Sequence, residues 1–438
     1  MTDTQTDHSA EVRRHLKVNY TVTALEGAMF SCGLAFIEPT AVLPRIIQNL
    51  HGPNWLIALM PLLSFAGVTV PQVFVAHRIE KLPRMKPYVV LMGTFQRLAF
   101  LLTGLFLLLF SASSPLVVLA AVALTPLLSG IFTGLHVTAW QELVAKTIPA
   151  NRMSSLWAVR FIIGAVLGMG AGKAVSLILE NVPGTTGFGL LYCCTFACAL
   201  VSIIIISFTR ETHLPPKRTG DDYGITDFLR SIVPVIRSDR RLFYFLMVRV
   251  FSSGIFVLSP FLGIRALAVL GWPDSSLGAF VTVQMIGALC GYLLGGYVGD
   301  TRGARPVIVL NHGFALVLAA WVIGAHTPFE FMAVFFLFGV TSALNMSGTM
   351  PLGFQISPTD RRIVYFTVIS FAGLPGLLIA WGLSTFGRSL GSGMTWLSLC
   401  TMAMMSVSLV FVLLIKPPAG PARRERAEAG TAEHGVAS

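Results

Sequence analysis

Charged residues are scarce in this chain: Lys, Arg, Asp and Glu form 12% of its 438 residues, whereas hydrophobic residues form 54%. A soluble domain carries roughly a quarter charged residues. A core built from this chain could not hide so much apolar surface from water, and the mean hydropathy of +0.75 indicates the same. The scarcity of charge therefore excludes an ordinary soluble protein and indicates that lipid covers part of the surface.

Motifs typical of metal, nucleotide and catalytic sites are also lacking. The six cysteines lie in apolar segments, and none is spaced with histidines as zinc ligands are. The pair Gly172-Lys173 is similar to the end of a phosphate-binding loop, but Leu167 and Ala174 stand where that loop needs other residues. Residues 387–391 match a nucleophile-elbow pattern without the strand, turn and helix that its chemistry requires. We therefore expect no cofactor, no metal site and no enzymatic activity.

What the sequence does contain is a series of twelve apolar runs. Their limits are 19–42, 55–76, 87–110, 115–140, 154–180, 186–209, 242–268, 276–299, 305–325, 329–354, 362–386 and 394–416. A helix needs about 20 apolar residues to cross the hydrocarbon. The polar N-terminus has no apolar core like that of a secretory signal, so we expect the first run to remain as a span. The sequence predicts an all-α integral membrane protein with twelve transmembrane helices.

Lys and Arg are distributed unequally between the loops. Most of the 31 basic residues lie in the N-terminal segment, the even-numbered loops and the C-terminal segment, whereas only Arg45, Arg265 and Arg388 lie on the opposite side. The positive-inside rule then predicts that both termini are cytoplasmic. The same rule explains the net charge of +11 without nucleic-acid binding. We expect an integral protein of a bacterial inner (plasma) membrane.

A long basic segment divides the runs into two sets of six. The predicted organisation is a cytoplasmic tail at 1–18, a six-helix bundle at 19–209, a basic cytoplasmic linker at 210–241, a second six-helix bundle at 242–416 and a disordered tail at 417–438. Part of the linker mixes apolar and basic residues, as a helix on an anionic leaflet does, although a simple connection is equally compatible. Residues 148–152 and 357–361 are similar to each other, which favours two pseudo-symmetric bundles.

The segment after the eighth run carries a family resemblance. Residues 296–305 read GYVGDTRGAR, and Gly296, Asp300, Gly303 and Arg305 match the signature of the major facilitator superfamily. The chain therefore resembles that family, whose fold has two six-helix bundles. The resemblance implies that this loop latches the cytoplasmic side. Gly303 permits a tight turn, and Asp300 and Arg305 could bridge the helix ends.

Two predicted spans carry glycines four residues apart. These are Gly164, Gly168 and Gly172 in the fifth span, and Gly287, Gly291 and Gly295 in the eighth. Glycines at this spacing let helix backbones approach closely in lipid. In the family that the chain resembles, spans 5 and 8 face each other, so we predict that the six glycines form the interface between the bundles. Ordinary packing inside one bundle is the alternative.

Polar and ionisable residues inside the spans are the candidates for function, because a charge at the bilayer centre costs at least about 2.5–3.5 kcal/mol. The predicted substrate- or proton-binding residues are Glu26, Glu38, Arg97, His136, Arg249 and Asn345. Glu26 and Glu38 are twelve residues apart, hence roughly 120° apart around a helix, and they cannot both lie on one seam with the fifth span. We favour Glu26 as the cavity acid, with a bridge to Arg160 as the alternative. Glu38 is expected to meet Arg45 or Lys173.

The other candidates divide by position. His136 and Asn345 occupy matching places in spans 4 and 10, which line the central cavity in the family that the chain resembles. His136 could titrate near physiological pH, with a satisfied structural histidine as the alternative. Arg97 has a structural bridge in the first bundle as its alternative. Arg249 could receive an anionic group.

These observations predict a secondary active transporter that moves a small organic solute by alternating access. Protonation of Glu26 or His136 would change the charge of the cavity and bias which side is open. A partial resemblance of span 5 to an antiporter signature suggests export. The expected partners are the solute, a proton or other coupling ion and the lipid bilayer, and we expect a monomer. A non-transporting receptor or assembly factor of the same fold is the alternative.

Overall fold

The computed structural model describes residues 3–79, 82–211, 234, 236, 238–358, 362–389 and 393–415, and these contain helices but no strand. The first half comprises α1 (Asp3–Ala35), α2 (Val42–Asn49), α3 (Asn54–Ile79), α4 (Lys86–Phe110), α5 (Pro115–Thr147), α6 (Ala150–Asn181) and α7 (Thr185–Ser207). The second half comprises α8 (Arg240–Ser252), α9 (Ile255–Leu258), α10 (Leu262–Leu270), α11 (Leu277–Arg302), α12 (Ala304–Ile323), α13 (Pro328–Ile356), α14 (Arg362–Phe371), α15 (Gly373–Ser389) and α16 (Gly393–Leu414). Most of the predicted linker and the predicted tail at 417–438 lie outside the described residues.

Eleven helical segments of the described chain are long and apolar enough to cross a membrane. They correspond to the second to twelfth predicted runs. In the first run, α1 ends at Ala35 and a turn leads to α2, which begins where the run ends. By composition α1 does not qualify as a span, because polar residues such as Asn19 and Glu26 interrupt it. Even so, α1 packs against α6 and α7 inside the first half. The prediction of an all-α integral membrane protein is confirmed.

The helix packing of the first half recurs in the second. In the first half α3 packs on α5, and α7 packs on both α1 and α4. In the second half α11 packs on α13, and α16 packs on both α8 and α12. These are the same relations between corresponding spans, so the two bundles are pseudo-symmetric. The halves meet along two seams, α6 against α11 and α3 against α15.

The hydrophobic core is continuous at only one end of the molecule. We call the membrane side at which α1 begins and α16 ends the terminal side, and the opposite side the far side. Toward the far side, one apolar cluster joins residues of both halves, such as Ile46 and Ile57 with Phe261. Toward the terminal side the clusters are separate, with Leu143 in one and Phe245 in another.

Two spans of the second half are interrupted. The span from Arg240 to Leu270 is divided after α8 at Ser253 and Gly254 and continues through α9 and a 3₁₀ turn to α10. The eleventh span is interrupted at Ala372, between α14 and α15. Irregular backbone within a bilayer is tolerated where it is buried in protein or lines a cavity. The breaks therefore mark the part of the second half where a polar group could be held.

The glycines of the fifth span meet two neighbours. A Cβ at Gly172 would lie 2.4 Å from Oγ1 of Thr282, and one at Gly168 would lie 2.9 Å from Sδ of Met285, so both glycines lie against α11 of the other half. Gly164 instead lies against α1. The interface prediction is therefore wrong for Gly164, which packs inside its own bundle.

The glycines of the eighth span do not form the interface. A Cβ at Gly287 would lie 2.1 Å from the carbonyl oxygen of Phe336, and Gly291 and Gly295 also lie against α13 within the second half. The prediction is wrong for these three residues because α11 has two packed faces. Its glycine face meets α13, and the face that carries Thr282 meets α6.

Candidate functional site

Glu26 is held in a buried ion pair. Nη1 of Arg160 on α6 donates a hydrogen bond to Oε2 of Glu26 on α1 at 2.5 Å, and to the carbonyl of Thr23 at 2.9 Å. The two charged side chains are only 12% and 7% exposed. Removing one partner of such a pair costs about 3–5 kcal/mol because the other charge stays buried. Glu26 is therefore not an open cavity acid in this conformation, and the alternative, a bridge to Arg160, is what the structure contains.

An aromatic ladder continues from this ion pair to the other half. The guanidinium of Arg160 lies over the rings of Trp140 and Trp157, at 4.8 and 5.6 Å from their centroids. Trp157 stacks on Phe161, and Phe161 stacks on Tyr292 of α11 with centroids 4.6 Å apart and planes 4° apart. This ladder was not predicted from the sequence, although the aromatic residues at positions 157 and 161 lie one turn apart on α6.

Arg97 joins helices of the first half. It is 3% exposed, and it donates to two backbone carbonyls, to Oε1 of Gln96 and to Oγ of Ser202. Ser202 in turn donates a long hydrogen bond to Glu26 at 3.4 Å. The guanidinium is thus satisfied by protein groups of α4 and α7, in keeping with the structural alternative.

His136 and Asn345 are not brought together. Nδ1 of His136 lies 2.6 Å from the carbonyl of Phe132, one turn earlier on α5, and the side chain is buried. Asn345 is exposed on α13, and its amide oxygen accepts a hydrogen bond from Thr349 at 3.0 Å. His136 therefore has the local partner of a structural histidine, whereas Asn345 remains open to a ligand.

Arg249 is the one site candidate whose side chain lacks a polar partner among the described residues. Its Nε is buried with no hydrogen-bond acceptor. A Cβ placed on Gly373 would lie 3.6 Å from Nη2 of Arg249 and 2.7 Å from the ring of Phe65. The guanidinium therefore lies where α8 and α15 meet α3 of the other half.

The position of Arg249 in its helix offsets only part of the energetic cost of placing its charge in the membrane. It lies in the last turn of α8, where the helix dipole favours a cation. That effect is typically about 0.3–1 kcal/mol and at most about 2 kcal/mol. The insertion cost of an arginine at mid-membrane is larger, at about 2.5–3.5 kcal/mol or more. A further favourable interaction is therefore needed at this position.

Glu38 closes a turn that contacts the second half. Its Oε2 accepts hydrogen bonds from the N–H groups of Thr40 and Ala41, at 2.7 and 2.9 Å, and from the hydroxyl of Thr40 at 2.5 Å. Oε1 accepts from Nε2 of Gln284 on α11 at 2.8 Å, and the carbonyl of Thr40 accepts from the N–H of Gly263 at 3.2 Å. A carboxylate satisfied by four donors has a structural role in this conformation.

The partners expected for Glu38 are engaged elsewhere. Nε of Arg45 lies 2.7 Å from Oδ1 of Asp274, and the other carboxylate oxygen accepts from Asn49 at 2.9 Å. Lys173 is exposed on α6. The predicted pairing of Glu38 with a basic residue is therefore wrong, because its own turn supplies the donors first.

Hydrogen bonds between the two halves lie only at the far side in the described part of the chain. They are Thr40–Gln284, Glu38–Gln284, Arg45–Asp274, Asn49–Asp274, Thr40–Gly263, Met169–Thr282 and Trp55–Trp381. This distribution matches the single apolar core at the same end. The structure is thus a conformation sealed at the far side.

The predicted latch loop has its turn but not its bridge. Gly303 adopts a φ of 86° between α11 and α12, which favours glycine. Arg305 donates to the carbonyls of Val412 and Leu413, at 3.1 and 2.6 Å, and so caps the end of α16. Asp300 is exposed and has no bond to Arg305. The bridge is replaced because the last carbonyls of a helix lack partners and attract a cation.

Neither a metal-ligand cluster nor a surface depression adds to the site within the described residues. No three His, Cys, Asp or Glu side chains converge there as metal ligands would. A surface depression at the terminal end of α4 is lined by Leu82, Pro83, Arg84, Pro87, Tyr88 and Leu91, and it contains none of the predicted site residues. We therefore define the candidate site by side-chain chemistry, with Arg249 and the Glu26–Arg160 pair as its ionised groups.

Sequence comparison gives limited information. No family model matches the chain. A stretch of 111 residues is 33% identical to a provisionally named metabolite transport protein, YdjK, of Escherichia coli (strain K12). That match covers 24% of this chain and 24% of the relative, so the chain aligns with about a quarter of that protein's length.

Comparison with solved structures identifies the fold. The chain is built as a membrane protein of two pseudo-symmetric helical bundles. A D-xylose–proton symporter aligns with a TM-score of 0.67 and 12% identity over 92% of this chain and 98% of the other. The nucleoside transporter NupG aligns with a TM-score of 0.65 and 14% identity, over 90% and 98% of the two chains. The major facilitator superfamily transporter FucP, in its outward conformation, aligns with a TM-score of 0.64 and 14% identity, over 91% and 99%.

The chain therefore has the fold of the major facilitator superfamily, and the resemblance predicted from the sequence is confirmed. At these identities the likeness shows the fold. The structural neighbours named above are transporters.

Proposed function

We propose that the chain is a secondary active transporter that moves a small organic solute by alternating access. The observation that supports this proposal is the asymmetric contact between the two halves. Hydrogen bonds and one shared apolar core join them at the far side, whereas the cores toward the terminal side are separate. A carrier in the state that is open to one side has this arrangement. Opening the far side would require breaking the bonds of Glu38, Arg45 and Gln284.

We further propose that a proton is the coupling ion and that Glu26 takes it up. Protonation of Glu26 would remove one charge of the pair with Arg160, and the freed guanidinium would then change the charge between the bundles. A ligand or proton shifts a conformational equilibrium only if it interacts differently with the two states. The aromatic ladder from Arg160 to Tyr292 supports such a difference, because movement of α11 against α6 changes the surroundings of the pair.

The test is uptake into proteoliposomes by the full-length protein, with a panel of labelled solutes and an imposed pH gradient. The variant Glu26→Gln should lose accumulation driven by the gradient while it still equilibrates the solute down its own gradient. Glu180→Gln is the matched control, because Glu180 is exposed at the end of α6. Unchanged accumulation by Glu26→Gln would refute the coupling assignment. A solute that binds but is never carried would instead favour a receptor.

The same proposal includes the orientation of the termini, the direction of transport and the oligomeric state. The basic residues of the terminal side support cytoplasmic termini in a bacterial inner membrane, and the resemblance of span 5 favours export. We also propose a monomer. Reporter fusions at the C-terminus, active on only one side of the membrane, test the orientation, and light scattering of the detergent-solubilised protein tests its mass.

A further inference from the structure

The guanidinium of Arg249 lacks the polar partners that Arg97 and Arg160 have. Nε of Arg265 on α10 is also buried without an acceptor. Arg97 donates four hydrogen bonds to protein groups, and Arg160 has an ion pair with a carboxylate. Arg249 has neither within the described chain, and its Nε is buried without an acceptor. An arginine stays charged under all physiological conditions. Among the described residues, no carboxylate supplies a negative group for this charge in this conformation.

The described acidic residues of the second half are bound elsewhere or lie at its ends. Asp239 accepts from the N–H groups that open α8, and Asp274 is bound by Arg45. Glu330 forms the capping box of α13, and Asp300 is exposed at the end of α11. None of these described carboxylates neutralises Arg249.

The surroundings of Arg249 have the form of a binding position. Gly373 lies directly beside the guanidinium, since a Cβ there would be in van der Waals contact with Nη2 at 3.6 Å. Phe65 brings an apolar ring from the first half to the same point. The helix is interrupted four residues after Arg249, at Ser253 and Gly254. A ligand at this point would touch both halves, and its binding would therefore depend on how the halves are arranged.

We propose that Arg249 binds an anionic group, a carboxylate or a phosphate, of the solute that the protein carries. This inference rests on the proposed function and narrows its substrate class to organic anions. The planar guanidinium binds carboxylate and phosphate oxygens in pairs. Phe65 packs against the apolar part of the same solute.

The test uses thermal unfolding of the full-length protein in detergent. The probes are lactate, succinate, gluconate and glycerol 3-phosphate, each beside its neutral counterpart: lactamide, succinamide, glucose and glycerol. Binding to the folded state raises the melting temperature. We expect at least one anion to stabilise the wild type while its neutral counterpart does not. Arg249→Gln should lose this stabilisation, Arg249→Lys should keep a reduced part of it, and Lys173→Gln, which removes an exposed charge, should keep all of it.

Three results would overturn the inference: an anion effect that survives in Arg249→Gln, stabilisation by neutral solutes alone, or no stabilisation of the wild type by any anion of the panel. If Arg249→Gln fails to fold, Gly373→Ala provides a second comparison, because its Cβ would lie 2.7 Å from the Phe65 ring and 3.6 Å from Nη2 and so crowd this position without changing charge. An arm with phosphatidylglycerol micelles separates solute from lipid headgroup, and stabilisation by that lipid alone also refutes the proposal.

The two proposals fail in different ways. An anion that stabilises the protein through Arg249 but never enters proteoliposomes refutes transport and leaves the binding site. A protein that carries neutral solutes equally well with Arg249→Gln leaves transport and refutes the anion site.

Discussion

Replacing Gln284 by Met should open the far side of the molecule. Gln284 donates to Oε1 of Glu38 at 2.8 Å, across the boundary between the halves. The Thr40 hydroxyl has a single proton, which it shares between Oε2 of Glu38 at 2.5 Å and Oε1 of Gln284 at 3.1 Å, so the loss in the variant is mainly that of the bond to Glu38. A hydrogen bond to a charged group contributes about 1.5–3 kcal/mol. Glu38 keeps three donors from its own turn, so the variant leaves no orphaned carboxylate. Methionine has nearly the volume of glutamine and adds apolar contact, which offsets part of the loss.

We therefore expect Gln284→Met to destabilise the far-sealed state by about 2 kcal/mol, which is roughly a 30-fold change in its equilibrium with the open state. Spin labels at Asn181 and Phe329, both exposed at far-side helix ends, report the separation of the halves in a background without the native cysteines. The population at long distance should rise. Gln141→Met is the matched control, because Gln141 is exposed on α5. Identical distance distributions for Gln284→Met and the wild type would refute the assignment of Gln284 to the seal.

Two further predictions test the glycine packing of α11 and the contribution of the Arg45–Asp274 ion pair to the closed far side. Gly287→Ala should lower the melting temperature, because its Cβ would lie 2.1 Å from a backbone oxygen of α13, and overpacking of this kind costs about 1–3 kcal/mol. Gly164→Ala is the control and should lower the melting temperature less, because its Cβ would lie 3.2 Å from a serine side chain. The reverse order would contradict the packing described. Asp274→Asn should shift the spin-label distances far less than Gln284→Met. The side chains of Arg45 and Asp274 are 28% and 20% exposed, and exposed ion pairs contribute only about 0.2–1 kcal/mol. An equal or larger shift would show that this ion pair, and not the buried amide of Gln284, holds the far side closed.

Hydropathy predicted the spans well because a bilayer demands long apolar helices. It also predicted the first span, although Asn19 and Glu26 lower the hydropathy of α1; the backbone carbonyl of Arg210 and the guanidinium of Arg160 bind these two side chains. It failed where spans are interrupted. The interruptions at Gly254 and Ala372 were not predicted, because small residues such as those found there are compatible with unbroken membrane helices.

The partners of the candidate residues were harder to predict. The pairing of Glu26 with Arg160 was foreseen as an alternative, since both lie at similar depth on parallel spans. The bond of Glu38 to Gln284 joins residues 246 positions apart, and no local pattern selects that amide over any other. The orientation of the glycine face of α11 could not be read either, because equal spacing suits a neighbour in the same bundle or in the other.

The stack of Trp157, Phe161 and Tyr292 has an optical consequence. Trp157 lies beside a cation and at one end of a ring column whose other end belongs to the opposite bundle. Any sliding of α11 alters the polarity and quenching that this indole experiences. Trp157 is thus a natural fluorophore at the contact between the bundles, and the difference in emission between the wild type and a variant lacking Trp157 would report the movement that the proposed transport cycle requires, without any attached dye.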